Sequence, residues 1–179
     1  MYHEKIRWPL KTNRIRRGTM GTFGMVRANG TRPHHGWDLY AYPGLPCYAA
    51  YDGTIEFAGS KAGYGNTVDI KLDTLFNGHP IFARYAHLMT FAVREGQQVK
   101  KGQVIGFTGN SGNAASMRGT HQHLHFEFLK RYPPNTGANG LTDRYNPREI
   151  YSIVPTTATI HDNTTALWEP DDGRTIGQR

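Results

Sequence analysis

The residues of this sequence best suited to chemistry are four histidines and one aspartate, which stand in three short motifs. His34 and Asp38 lie in HHGWD, His87 lies in YAHL, and His123 and His125 lie in HQHLHFEF. Zinc accepts imidazole nitrogen and carboxylate oxygen, and a catalytic zinc site uses three protein ligands and leaves its fourth position to water or substrate. These five groups are enough for three ligands and two acid-base side chains, so the set predicts metal-assisted hydrolysis.

The last motif predicts a strand with one working face and one packing face. Side chains alternate between the two faces of a strand, so histidines two residues apart project to the same side. The working face of THQHLHFEF then carries His121, His123, His125 and Glu127, and the apolar residues between them pack. One histidine can bind a metal while its neighbour reaches a substrate, and the spacing leaves open which does which.

The motif HHGWD presents its side chains differently. Gly36 argues against a helix, so we expect a bend at a strand entrance to bring His34 and Asp38 together. A solitary His-x-x-x-Asp is more often a surface pair. His87 follows the apolar-aromatic run ARYA, and taken alone it is as typical of a buried histidine without a catalytic role as of a functional one. The combination with His-x-His favours the functional interpretation of both.

The segments that must position these residues are predicted to be short strands separated by turns. Gly and Pro punctuate the chain, and the segments between them are rich in β-branched and aromatic residues. No segment has sustained helical spacing, and only Pro147–Tyr151 invites a short helix. We therefore predict a mainly antiparallel β fold. The predicted strands are Tyr48–Tyr51, Thr54–Ala58, Thr67–Leu72, Ile81–His87, Val104–Thr108 and His123–Leu129.

Size and composition limit the class of protein. At 179 residues the chain has the length of one domain and can bury a core without disulfides. Its one cysteine, Cys47, lies among apolar residues, where we expect an inert core side chain. No apolar run approaches the roughly 18 residues that a membrane span needs.

The net charge of +7 is concentrated in the first 32 residues, where eight basic residues face Glu4 alone. A basic arm suits contact with a polyanion, such as nucleic acid, anionic lipid or bacterial cell wall. A solvated leading segment explains the same charges equally well. No recognition module for nucleic acid is visible, so specific nucleic-acid binding is not expected.

Taken in order, the motifs resemble those of the lysostaphin-type zinc metallopeptidases, which cut peptides of bacterial peptidoglycan. The likeness runs from about Arg32 to Leu129 and covers HHGWD, PCYAAYDGTIEFAG, GYGNTVDIKL, YAHL, VREGQQVKKGQVIGFTGNSGN and HLHFEF. It implies an antiparallel sheet or sandwich core with few short helices. It also implies zinc as the cofactor, with the ligands His34, Asp38 and His125 and the catalytic residues His87 and His123.

On this basis we divide the chain into three parts: a basic N-terminal arm (1–31), a zinc metallopeptidase core (32–130) and a loop-rich C-terminal extension (131–179). We expect the extension to pack on the core or to trail from it. The arm is a candidate contact for an anionic wall polymer.

The activity implied is hydrolysis of the cross-links or stem peptides of peptidoglycan by a zinc endopeptidase. Between glycine bridges and the D-alanyl-diaminopimelate bond, we favour the second. We expect His123 to act as general base and His87 to donate a hydrogen bond to the oxyanion, although the sequence leaves open which of them moves the proton. The alternative is a silent domain that binds wall or regulates a hydrolase, and the five intact residues count against it.

Two departures from the family pattern add histidines. The stretch AASMRGTHQ before His-x-His is longer than usual and supplies His121, and the doubled histidine supplies His35. We expect neither to bind the metal, because three protein ligands already satisfy a catalytic site.

The N-terminus lacks the apolar stretch of a secretory signal. We therefore expect synthesis in the cytoplasm and action in the periplasm or cell wall after lysis, injection or assembly into a virion. A phage lysin or tail component fits this, as does an interbacterial effector with an immunity protein as partner. A fragment of a longer precursor fits as well.

Overall fold

Nearly all regular structure in the protein is β-strand. The computed structural model describes residues 6–16, 18–135, 138–156, 158–161 and 168–170. The strands are β1 (Thr12–Asn13), β2 (Gly24–Arg27), β3 (Arg32–His34), β4 (Trp37–Tyr40), β5 (Pro46–Tyr48), β6 (Gly53–Lys61), β7 (Gly65–Phe76), β8 (His79–Phe91), β9 (Gln98–Val99), β10 (Val104–Thr108), β11 (His123–Leu129), β12 (Arg144–Tyr145), β13 (Ala158–His161) and β14 (Trp168–Pro170). Among the described residues the helices are α1 (Pro147–Tyr151) and three 3₁₀ turns, Gly112–Ala114, Gly119–His121 and Ala138–Gly140. The predicted mainly antiparallel β fold with few short helices is confirmed.

One large antiparallel sheet holds Asp38, His87 and the His-x-His motif, whereas His34 lies in β3, which pairs with β2 in a separate two-stranded sheet. Its strand order is β12-β11-β8-β7-β6-β9, with β4 paired to β11 and β10 paired to both β5 and β8. Strand β11 therefore has β8 along one edge and β4 and β12 along the other. The three strands that carry Asp38, His87 and the His-x-His motif lie next to one another.

The hairpin of β7 and β8 is longer than the sequence predicts. Asn77 and Gly78 form its turn with φ of 50° and 80°, which suits a two-residue hairpin connection. The ladder continues to Phe76 and His79, well past the apolar segments that the sequence pattern marks. The pattern fails at this tip because one end of a hairpin can project into solvent and needs no buried face.

Buried side chains of β4, β7, β8 and β11 form much of the core. Its largest fully buried members include Trp37, Tyr85, Phe126 and Phe128. Cys47 is also fully buried, and burial raises the pKa of its thiol. This agrees with the inert core role expected for the cysteine.

The segment before the sheet packs into this core. Ile15 is fully buried and bridges to Leu39, and Leu10 is 2% exposed. The Trp8 ring stacks on Tyr151 at a centroid distance of 4.0 Å. The Arg7 guanidinium lies 4.4 Å from the centre of the Tyr48 ring. Some charges of the basic arm are thus turned towards the fold, while Lys5 and Arg17 lie outside the described residues.

The segment after the sheet also returns to it. Helix α1 begins as predicted with Pro147, and a capping box of Asn146 and Glu149 closes its N-terminus. Strand β13 pairs with β1, which joins the two flanking segments to each other. Among the described residues, no helix is long and apolar enough to cross a membrane.

Candidate metal centre

The bend in HHGWD brings two candidate ligands to the edge of the histidine strand. Strand β3 ends at His34, and β4 begins after Gly36. A side chain at position 36 would collide with the carbonyl oxygen of Phe126, so only glycine lets the chain pass this close to β11. Strand β4 then pairs Asp38 directly with His125.

Three ligand atoms converge at this point. Asp38 Oδ1 lies 2.9 Å from His34 Nε2 and 2.9 Å from His125 Nδ1, and the two nitrogens are 3.1 Å apart. They form the one group of three such side chains within ligand distance in the part of the chain that the structure describes. Two imidazole nitrogens and one carboxylate oxygen are a donor set that zinc accepts, so the residues present fit the metal.

Hydrogen bonds to groups outside the ligand cluster decide which ring nitrogen of His34 and of His125 faces Asp38. A carbonyl or carboxylate oxygen can only accept, so His34 must donate its Nδ1–H to the carbonyl of Thr22 at 2.7 Å. His125 likewise donates its Nε2–H to Glu127 Oε1 at 2.8 Å. Such outer partners fix the orientation and tautomer of metal-binding histidines. They leave His34 Nε2 and His125 Nδ1 turned towards Asp38.

A bulge in β8 places His87 beside this group. Two residues of β8, Ala86 and His87, oppose Thr67 alone, and His87 has a φ of 60°. A bulge re-aims a side chain out of the regular alternation, and a positive φ is uncommon at a residue other than glycine. The His87 ring lies perpendicular to that of His123, with centroids 5.2 Å apart.

His87 and His123 are held in the same way. His87 Nδ1 donates to the carbonyl of Ser111 at 2.9 Å, and His123 Nδ1 donates to that of His121 at 2.7 Å. In the neutral rings the other nitrogen, Nε2, is therefore the proton acceptor. His123 Nε2 lies 3.5 Å from Asp38 Oδ1, so it borders the three ligand atoms.

The site shifts the pKa of its members in opposite directions. Burial opposes the charged form of Asp38, but hydrogen bonds from His125 and His34 hold its pKa well below the usual range. Burial lowers the pKa of His34, and burial with the neighbouring His125 and His123 lowers the pKa of His87 to about 4. For His125, burial is outweighed by the hydrogen bonds to Asp38 and Glu127, which raise its pKa to about 9. Without metal, the pKa of about 9 means that the His125 ring is doubly protonated and positively charged at neutral pH.

The two extra histidines point elsewhere. His35 Nε2 donates to the carbonyl of Asn139 at 2.8 Å, and its Nδ1 lies 3.3 Å from the Tyr64 hydroxyl. His121 is exposed and lies 2.9 Å from the Arg16 guanidinium. The prediction that His121 shares the strand face with His123 is wrong, because the chain turns through Gly119–His121 and β11 begins only at His123.

Several residues around the site have no strong signal in the sequence. Arg27 is ion-paired with the second oxygen of Asp38. Tyr64 donates to Glu127 Oε1, the oxygen that also accepts from His125, and Arg144 donates to the other oxygen, Oε2. The alternation of β11 places Glu127 on the face of His125, but its partners come from distant parts of the chain.

Residues 32–139 match the model of Peptidase family M23, which is more than half of the chain. The chain belongs to this family. The resemblance to lysostaphin-type peptidases is therefore confirmed at the level of family and fold.

Individual relatives agree with this assignment. The peptidoglycan DD-endopeptidase ShyA of Vibrio cholerae is 36% identical over 102 residues, which are 57% of this chain and 21% of that protein. The catalytic domain of the antimicrobial peptidase lysostaphin from Staphylococcus simulans superposes with a TM-score of 0.58 at 25% identity, over 80% of this chain and 93% of the domain. A zinc-containing peptidase from Vibrio cholerae gives a TM-score of 0.56 at 30% identity, over 71% and 37% of the two chains. The chain spans about a fifth of the length of the curated relatives it matches.

Proposed function

We propose that the chain is a zinc-dependent endopeptidase that hydrolyses the peptide cross-links or stem peptides of bacterial peptidoglycan. The observation that carries this is the convergence of His34, Asp38 and His125 beside the rings of His87 and His123. Three ligands with two adjacent proton-transfer groups are what metal-assisted amide hydrolysis requires.

The metal would be held by His34 Nε2, Asp38 Oδ1 and His125 Nδ1. Zinc bound there would supply Lewis acidity, which activates water and polarises a peptide carbonyl near neutral pH. The hydrogen bonds from His34 to Thr22 and from His125 to Glu127 keep the ligand nitrogens aimed inward. The positive charge of Arg27 holds the other oxygen of Asp38, so the carboxylate presents one oxygen to the centre.

Proton transfer falls to His87 and His123. Both rings are anchored through Nδ1, so Nε2 is the atom that takes a proton and later returns it to the leaving amine. At neutral pH the His87 ring is uncharged because its pKa lies near 4, and it can donate to a developing oxyanion only after it has gained a proton. This supports a shared role in which the ring that accepts first becomes the donor.

The substrate class is supported by the relatives. A relative that is 36% identical over 102 residues is named as a peptidoglycan DD-endopeptidase, and the residues that match the family model, 32–139, include all five. We favour the D-alanyl-diaminopimelate cross-link over glycine bridges and place the site of action in the periplasm or cell wall.

Digestion of purified cell walls tests the proposal. Zinc-loaded protein is incubated with walls cross-linked through diaminopimelate and with walls cross-linked through glycine bridges, and mass spectrometry identifies the bond cut. We expect cleavage of the first wall type, no cleavage by His123→Ala, loss of activity with EDTA and recovery with added zinc. Stoichiometric zinc without cleavage of either wall would instead indicate a silent wall-binding domain.

A further inference from the structure

The strongest unassigned feature is the carboxylate of Glu127, which is fully buried next to the metal centre. Its Oε1 accepts hydrogen bonds from His125 Nε2 at 2.8 Å and from the Tyr64 hydroxyl at 2.6 Å. Its Oε2 accepts one from Arg144 Nε at 3.0 Å, and Arg84 Nη1 lies 3.7 Å away. The carboxylate thus joins a candidate ligand histidine to an arginine of β12, the strand that pairs with the end of β11.

Arg144 is itself fixed in place. It lies in β12, which pairs with the end of β11, and its side chain is only 2% exposed. Its Nη1 donates to the carbonyls of Gly140 and Asn135. The guanidinium is therefore oriented by its own loop and presents Nε to Glu127.

The neighbouring Arg84 cannot replace it. Arg84 is bound bidentately by the buried carboxylate of Asp69, through Nε at 2.8 Å and Nη2 at 2.9 Å. Only its Nη1 faces Glu127, at a distance beyond a hydrogen bond. Both arginines lie within ion-pair distance of Glu127, but only Arg144 donates a hydrogen bond to it, so Arg144 is the arginine that fixes the position of Oε2.

We propose that Glu127 is a positioning residue for the metal centre and that Arg144 holds it there, so that His125 presents Nδ1 to the metal. This inference rests on the proposed zinc site. It gives β12 a part in the site, although that strand carries none of the candidate ligands. Removal of outer partners of this kind weakens metal binding by about 10–100-fold.

Zinc affinity measured by competition with a chromogenic chelator tests this without any assay of activity. Glu127→Gln keeps the size of the side chain and removes its charge. Arg144→Met keeps most of the length of the side chain and removes the guanidinium group that donates to Glu127. We expect each to weaken zinc binding by about 10–100-fold. Arg148→Met, at an exposed position four residues farther on, is the matched control and should bind zinc like the wild type.

The double variant Glu127→Gln/Arg144→Met separates positioning from a general structural effect. If the two residues act through one contact, the zinc affinity of the double variant equals that of the single variant with the lower affinity. If the losses of binding free energy in the two single variants add up in the double variant, the link between Glu127 and Arg144 is overturned. Nitrogen NMR of zinc-loaded protein should find the hydrogen of His125 on Nε2 in the wild type and a mixture of Nε2 and Nδ1 in Glu127→Gln.

Folding is checked by circular dichroism and urea unfolding. Should Arg144→Met fail to fold, Arg144→Lys replaces it with the same expectation, because lysine keeps the charge but lacks the planar fork. Wild-type affinity in the folded Glu127 and Arg144 variants would overturn the positioning role alone. Absence of zinc binding at His34, Asp38 and His125 in the wild type would overturn the proposed function as well.

Discussion

The histidine strands and the segments that flank them contribute different things to the same site. Strands β3, β4, β8 and β11 supply the candidate ligands and the two histidines that we propose for proton transfer. The flanking segments supply the groups that orient them: the Thr22 carbonyl on His34, Arg27 on Asp38 and, through Glu127, Arg144 on His125. The candidate ligands thus lie on a few neighbouring strands, whereas their orientation depends on groups from earlier and later parts of the chain.

The largest effect should come from the ligands in the strands. We expect His34→Ala, Asp38→Ala and His125→Ala to lose zinc and wall-degrading activity together, because each removes one of three protein ligands. Metal content by mass spectrometry of the purified variants is the measurement. Full zinc content in any one of them would remove that residue from the ligand set.

The second prediction separates ligands from proton-transfer groups within the strands. His87→Ala and His123→Ala should keep stoichiometric zinc and lose about 10²–10⁴-fold in turnover, which is the usual contribution of an acid-base group. Steady-state kinetics on a soluble cross-linked peptide, beside a zinc determination, makes the comparison. If His123→Ala emptied the site, His123 would be a ligand.

The third prediction concerns the flanking segment as part of the fold. Ile15 is fully buried, and Ile15→Ala should lower the free energy of unfolding by about 2–5 kcal/mol. Met20, which is 66% exposed in the same segment, provides the control, since Met20→Ala should change stability by less than about 0.5 kcal/mol. Equal urea midpoints for the two variants would mean that the segment does not pack on the sheet.

The smallest effect is a pH dependence of zinc affinity. In the metal-free protein the pKa of His125 is about 9, because the hydrogen bonds to Asp38 and Glu127 outweigh burial. A ligand imidazole must be neutral, so zinc binding below pH 9 displaces this proton, and affinity should rise about tenfold per pH unit between pH 7 and 8. Chelator competition at both pH values measures it, and equal affinities would contradict a protonated His125.

The sequence predicts most of the strands well where the signal is local, although the predicted strand Tyr48–Tyr51 is wrong because β5 ends at Tyr48. The five selected residues lie together because each motif is short and its geometry depends on a strand or a bend. Alternation along β11 correctly places Glu127 beside His125. The same alternation fails at His121, because Gly119, with a φ of 56°, turns the chain before the strand begins.

The orienting groups escape prediction for a physical reason. Arg144 reaches Glu127 through the pairing of β12 with β11, and Tyr64 reaches it from a turn before β7. A single arginine in a polar loop has no periodicity that marks it as buried. Likewise, the sequence alone shows Arg27 only as one of several charges in a basic segment. The pairing of β2 with β3 is what brings it to Asp38.

Anomalous diffraction at the zinc edge, on crystals of protein loaded with one equivalent of zinc, tests the central claim most directly. The predicted result is one peak bounded by His34 Nε2, Asp38 Oδ1 and His125 Nδ1, with His87 and His123 beside it. A peak at other residues, or contact of zinc with His125 through Nε2, would contradict it.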